Sequence, residues 1–305
     1  MTVQRKPSDE AQGDLPWQWQ EQKWRGIVEK VRAGRSLKPK QWKNGAQVCV
    51  SLSFDSDHET GTLREGEDSP GKLSQGQYGN RVGIPRIRRL LDRYDIRASF
   101  FVPAVVAKLY PEEQRALADE GHEIGIHGWI HERNSILPPV AERDLQMRAA
   151  DALEQISGQR PVGIRTPSWD FSQHTLSISR EMGLLYDSSL MADDEPYEIM
   201  EDGQPTGMVE LPVEWIKDDA VYFNMNRFSG LRPHTPPSSV LEIFMAEFEG
   251  ALEEKGLFLL TMHPHIIGHR SRIQLLEKLI RHMRSIPGVW FATHKEVAQY
   301  CKDNA

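Results

Sequence analysis

The chain has 305 residues, 39% of them hydrophobic, and a formal net charge of −7 with acidic and basic residues interspersed. That balance excludes a nucleic-acid partner, which needs a basic face, and no apolar run approaches the roughly 18 residues that span a bilayer, so no membrane partner is expected either. Cys49 and Cys301 are too few for a disulfide framework, and the polar N-terminus "MTVQRKPSDEAQGDLPWQWQEQKW" lacks the apolar segment of an export signal. The expectation is a cytoplasmic protein.

Residues 1–45 are polar and tryptophan-containing, with no sustained period, and are read as an N-terminal arm. Aromatic side chains exposed on such an arm are the kind of surface that a neighbouring copy buries, so a homo-oligomer is expected. The core begins at "AQVCVSLSFD" (46–55), which has the apolar richness of a buried strand. Residues 56–83 follow, too full of Gly, Ser and Asp for a regular element, and far longer than an ordinary connection. They are expected to form a functional loop, folded over the strand ends or against a neighbouring subunit.

From there the chain alternates. Helix-like "IPRIRRLLDRYD" precedes strand-like "RASFFVP", "PEEQRALADEG" precedes "HEIGI", and "VAERDLQMRAADALEQISG" precedes "RPVGIR". After "LLYDSSL" comes a polar middle, "DDEPYEIMEDGQPTGM", read as loop or edge strand; the alternation then resumes through "LFLLTMH" and "VWFATH". Gly121, Gly158, Gly183, Gly256 and Gly288 stand where helices should close. Strands alternating with helices mean βαβ units. The expected fold class is α/β, a single distorted (β/α) barrel domain of about seven parallel strands over 46–305.

Unusual polar residues gather at strand ends: Asp55 and Asp57 after the first strand, His127 after "HEIGI", Arg165 after "RPVGI" and His263 after "LFLLTM". In parallel barrels the C-terminal strand ends form one rim, so these groups belong to one site. His127 and His131 are four apart and can converge on one ion if their segment takes a helical turn, with an oxygen ligand from another strand end. No Glu follows the first His, so this is not the zincin motif, and the group that activates water must come from elsewhere. Asp55 and Asp57, on one face of an extended chain, offer one ligand and one base.

These motifs, "SFDSD", "HGWIH", "RTPSW" and "LLTMHP" in that order, resemble the polysaccharide deacetylase superfamily, also called the NodB-homology or carbohydrate esterase 4 fold. "GEDSP", "VGIP", "IHGWIHERN", "YDSSLM" and "VELPVEW" further resemble its branch of cyclic imide hydrolases, allantoinase-like and peptidoglycan-deacetylase-like proteins. The resemblance implies that Asp57, His127 and His131 hold a divalent cation, usually Zn2+, with Mn2+, Co2+ or Fe2+ as alternatives. It implies that Asp55 is the base, that Arg165 orients a carboxylate, and that His263 protonates the leaving nitrogen or stabilises the oxyanion. The family has adjacent aspartates where this chain inserts Ser56, so the base is the role that departs from the pattern, and Glu59 is a second candidate.

The implied activity is hydrolysis of a non-peptide amide C–N bond. Lack of an export signal and the long segment over the site favour a small-molecule substrate, a cyclic imide or hydantoin-like ring opened to its half-amide; the alternative is N-deacetylation of an acetylated amino sugar or peptidoglycan fragment. Trp169, Trp215 and Phe223 are candidate pocket walls, with Glu67 reaching the substrate. His58, His122, His265 and His269 are expected at the surface.

Overall fold

The computed structural model describes residues 15–225 and 235–305. Ten strands form one sheet: β1 (Val31–Ser36), β2 (Val48–Asp55), β3 (Ser99–Val102), β4 (Glu123–Ile126), β5 (Gly163–Ile164), β6 (Tyr186–Asp187), β7 (Tyr197–Glu201), β8 (Gln204–Glu210), β9 (Leu257–Met262) and β10 (Val289–Phe291). Their order is β1-β7-β8-β6-β5-β4-β3-β2-β10, with β9 on the other edge of β2. Every pairing is parallel except β1 with β7 and β7 with β8. The sheet curls into a half-barrel, and an isolated bridge between Thr261 of β9 and Asp218 narrows the gap that remains.

β2 shows why the sequence folds this way. All eight of its residues are buried, as a parallel strand covered on both faces requires. Val48, Val50, Leu52 and Phe54 face the outer cluster, where they meet helix residues such as Leu91, Leu153, Phe248 and Leu279. The alternate residues, Cys49, Ser51, Ser53 and Asp55, therefore point inward. "VCVSLSFD" thus writes a greasy outer face and a polar ladder that climbs the interior towards the strand's C-terminal end.

Three stretches carry structure that the sequence did not announce. Within the expected arm, before residue 45, β1 pairs with β7 and Trp42 is 2% exposed, its indole N–H donating to the carbonyl of Lys255 at 2.9 Å. The preceding helix, Glu21–Glu29, buries none of its residues; Trp24, Ile27 and Val28 are exposed on it. The polar middle forms the β7–β8 hairpin, turned at Asp202 and Gly203, both with positive φ, the Asp-Gly pair that a two-residue turn selects.

Residues 56–83 are the third stretch. They form helices Thr60–Leu63 and Pro70–Tyr78 and a wide turn, Gly79–Gly83, that runs into the helix Ile84–Arg93. Two of their glycines serve close packing: a Cβ at Gly76 would lie 2.3 Å from the backbone of His58, and one at Gly83 2.2 Å from the carbonyl oxygen of Pro264. The segment is a helical cap over the strand ends. Gly121, Gly158, Gly183 and Gly288 do take the left-handed conformation after their helices, whereas the helix Pro237–Glu254 ends on Lys255 in that conformation instead of on Gly256.

Candidate metal centre

Strand ends deliver the ligands. β2 hands on Asp55, Ser56 and Asp57, and because i and i+2 share a face, both carboxylates reach the same imidazole. Asp57 Oδ1 lies 3.4 Å from His127 Nε2 and 3.3 Å from His131 Nε2, while Asp55 Oδ2 lies 3.8 Å from His127 Nε2. The inserted Ser56 therefore keeps the two aspartates together. His127 follows β4, and its Nδ1 donates to the carbonyl of Arg165 at 2.7 Å, which leaves a lone pair on Nε2.

His131 arrives by a different route from the one expected. No helical turn joins the two histidines; residues 127–133 form a bend in which Gly128 has φ 73° and His131 φ 66°. Glu132 holds that bend, its carboxylate accepting from the N–H groups of Trp129 and Ile130 at 2.9 and 2.7 Å. A non-glycine residue in the left-handed region costs on the order of 1–3 kcal/mol, and such strain is retained where the surroundings enforce it. Ser168 and Trp169, also at positive φ, line the neighbouring loop.

The donor set fits a divalent cation. Asp57, His127 and His131 are all buried, and their ligand atoms lie within 4.8 Å of one another. Asp57 Oδ1 has no hydrogen-bond partner among the described residues, although it faces two ring nitrogens. Burial alone would raise the Asp57 carboxyl, but the imidazoles of His131, His127 and His263 outweigh it and hold the group well below the usual range. Burial pushes His131 down to about 3. At His127 burial is outweighed by Asp55 and Asp57, which raise the ring, so a metal binding there competes with a proton.

Around this triangle stand the remaining expected groups. Arg165 is fully buried and donates from Nη1 to Asp55 Oδ1 at 2.7 Å. His263, at the end of β9, lies with Nε2 3.7 Å from Asp57 Oδ2, and its Nδ1 donates to Asp219 Oδ1 at 2.7 Å. Burial lowers the His263 pKa, yet Asp218, Asp219 and Asp57 outweigh it and hold the ring above its ordinary value. Trp169 is 7% exposed and stacks on the half-exposed Trp215 with centroids 4.1 Å apart. Phe223 is buried, 4.5 Å beneath the Arg272 guanidinium, and belongs to the core.

Glu67 pairs with Lys72 within the cap, and Glu59, the second candidate base, accepts from the Tyr110 hydroxyl. The expectation of surface histidines is corrected in part. His58 and His122 are buried, not at the surface: His58 Nε2 pairs with Glu113 at 3.1 Å, and His122 Nδ1 accepts from the N–H of Ala98 at 3.2 Å. His265 is half-buried, whereas His269 is exposed and stacks on Tyr78 at 4.2 Å.

Other residues at the site carry no motif signal. Asp219 could have been found as a carboxylate in "KDDAVYF", but nothing in its spacing ties it to His263. Arg64 reaches over from the cap and donates from Nη1 to His131 Nδ1 at 2.8 Å and to Ser168 Oγ at 2.6 Å. His294, after β10, accepts from Arg165 Nη2 at 3.1 Å.

A half-barrel whose strand ends gather this donor triangle, a second carboxylate and the His263 imidazole defines an amidohydrolase of the deacetylase type. The sequence model of the polysaccharide deacetylase family matches residues 45–186. A crystal structure from Mycobacterium smegmatis, assigned as a polysaccharide deacetylase, is 34% identical and superposes over 89% of this chain and 96% of its own with a TM-score of 0.82. The Helicobacter pylori peptidoglycan deacetylase is 28% identical over 283 residues, 83% of this chain and 95% of its own. The allantoinase PuuE, 22% identical over 88% of this chain and 93% of its own, shares the fold with a TM-score of 0.76. The chain belongs to the polysaccharide deacetylase family.

Proposed function

We propose that this amidohydrolase opens a small cyclic imide or related cyclic amide to its half-amide, using a divalent cation, Zn2+ in the first instance, held by Asp57, His127 and His131. The observation that carries the choice of a small substrate is the helical cap. Residues 56–83 form helices over the strand ends and seat Gly83 against the backbone of Pro264, just after β9, which narrows the approach that an extended polymer would need.

When bound, the cation supplies positive charge that acidifies water and polarises the amide carbonyl. Asp55, oriented by Arg165, takes the proton of the attacking water. His263, protonated and oriented by Asp219, gives its Nε2 proton to the leaving nitrogen. Trp169 and Trp215 present a flat apolar wall of the kind that ligand pockets favour.

The second reading, N-deacetylation of an acetylated amino sugar, draws support from the extent of the match to the Helicobacter pylori peptidoglycan deacetylase. Turnover of succinimide, glutarimide, hydantoin and allantoin measured beside acetylated chito-oligomers separates the two. Ring opening with little deacetylation is the expected result; deacetylation alone overturns the first reading in favour of the second.

A further inference from the structure

Beneath the metal ligands lies a buried hydrogen-bond array in which every proton has an assigned place. Arg165 has five N–H bonds and uses all five. Nε donates to the carbonyl of Ser188 at 3.0 Å, Nη1 to Ser53 Oγ at 2.9 Å and Asp55 Oδ1 at 2.7 Å, and Nη2 to Ser188 Oγ at 2.9 Å and His294 Nε2 at 3.1 Å. A guanidinium has no acceptor, so each partner must accept. Each serine can do so because its own proton is directed elsewhere: Ser53 to the carbonyl of Leu260 and Ser188 to that of Leu211.

His294 obeys the same logic. Its Nε2 faces a guanidinium and must be unprotonated, so its hydrogen sits on Nδ1, which meets Ser51 Oγ at 2.8 Å. Ser51 can accept there because its hydroxyl proton goes to the carbonyl of Ala292 at 3.0 Å. Ser51, Arg165 and His294 are all fully buried, so water offers no substitute partner. The array has one self-consistent proton order, running from the Ala292 carbonyl through Ser51, His294 and Arg165 to Asp55.

We propose that His294 is a positioning residue: its Nε2 completes the acceptor shell of Arg165 and thereby fixes where Arg165 holds the Asp55 carboxylate. The proposal rests on the reading of Asp55 as the base. A missing acceptor leaves a buried N–H unsatisfied, and the guanidinium shifts to find one, taking Asp55 with it. His294 touches neither substrate nor ligand, so its effect belongs in the chemical step rather than in binding.

The test compares His294→Leu, which removes the acceptor, with His294→Gln, whose side-chain oxygen can stand near Nε2. His294→Leu is expected to lower kcat about 10- to 100-fold, the usual range for an outer hydrogen-bond partner, with KM and bound metal within twofold. His294→Gln should recover most of that loss. In an Arg165→Met background, His294→Leu should cost nothing further. Equal kcat in wild type and His294→Leu overturns the proposal, and so does an equal loss in Leu and Gln variants accompanied by lost metal, which marks a packing role. A 15N spectrum of the histidine rings is a readout that needs no substrate: it should show His294 with its hydrogen on Nδ1, and the opposite tautomer overturns the proposal even if the substrate reading stands. If no substrate in the panel is turned over while the tautomer is as stated, the substrate reading fails and the array does not.

Discussion

Arg64 and His131 meet donor to acceptor at 2.8 Å, and that one contact bears on how the centre loads. An imidazole that ligates through Nε2 carries its hydrogen on Nδ1, the atom to which Arg64 donates. Two donors cannot share that edge, so an occupied centre must turn Arg64 away. Arg64→Gln, whose amide oxygen can accept from Nδ1–H, is expected to tighten Zn2+ binding up to about tenfold, since a net hydrogen bond contributes roughly 1 kcal/mol. Calorimetric titration of metal-free protein reads this; unchanged or weaker affinity would show that Arg64 supports the ligand instead. The residue scale is also where the sequence was most informative. Asp57, His127, His131, Arg165 and His263 each follow a strand, and their convergence on one rim is dictated by parallel topology. Arg64, Glu132 and His294 were not legible because they act through hydrogen bonds whose partners are remote in sequence or hidden in an irregular bend.

Strand register sets a second property. β6 pairs with β8 so that Asp187 stands beside Glu210, and both are fully buried. Burial pushes Asp187 up to about 7 and, with the neighbouring Asp187, holds Glu210 well above its usual value. A folded-state pKa above the unfolded one, about 3.9 for aspartate, gives stability that is complete below that unfolded value and is lost as pH rises through about 7. The urea midpoint of the wild type is therefore expected to fall between pH 5 and 8. Asp187→Asn should flatten that slope; an equal slope in both proteins would mean that the pair does not share a proton. The neighbouring β7–β8 hairpin was open to sequence reading through "EDGQ", yet the polar residues around Asp202 and Gly203 masked its alternation. The cap was masked differently. Gly76 and Gly83 look like helix breakers until a packed backbone requires them, and Gly79 until the His58 ring does.

For the whole molecule, the question is where the fold begins. Trp42 packs against Trp290 and Tyr300, with centroids 6.2 and 6.4 Å away, and so ties the residues before β2 to the last strand and helix. Trp42→Ala is expected to cost about 3–5 kcal/mol, as for other buried aromatics. A chain starting at residue 46 should lose that and the β1 pairing together, while one starting at residue 31 should melt close to the full-length protein. Thermal unfolding of the three proteins checks this, and a residue-46 start that is as stable as the whole chain would support the boundary expected from sequence. The barrel class itself was legible because β2, β9 and the long helices carry clean patterns. What joins the residues before β2 to that frame is the β1–β7 pairing and the buried Trp42, and no periodicity announces either.

Gly83 has no side chain, yet the space that it leaves is filled by the carbonyl of Pro264, the residue immediately after His263. His263, the proposed proton donor, is thus seated by the cap as well as by its own strand. A substitution that moves the cap at Gly83 should therefore also move His263, so entrance and acid are tied together in this fold.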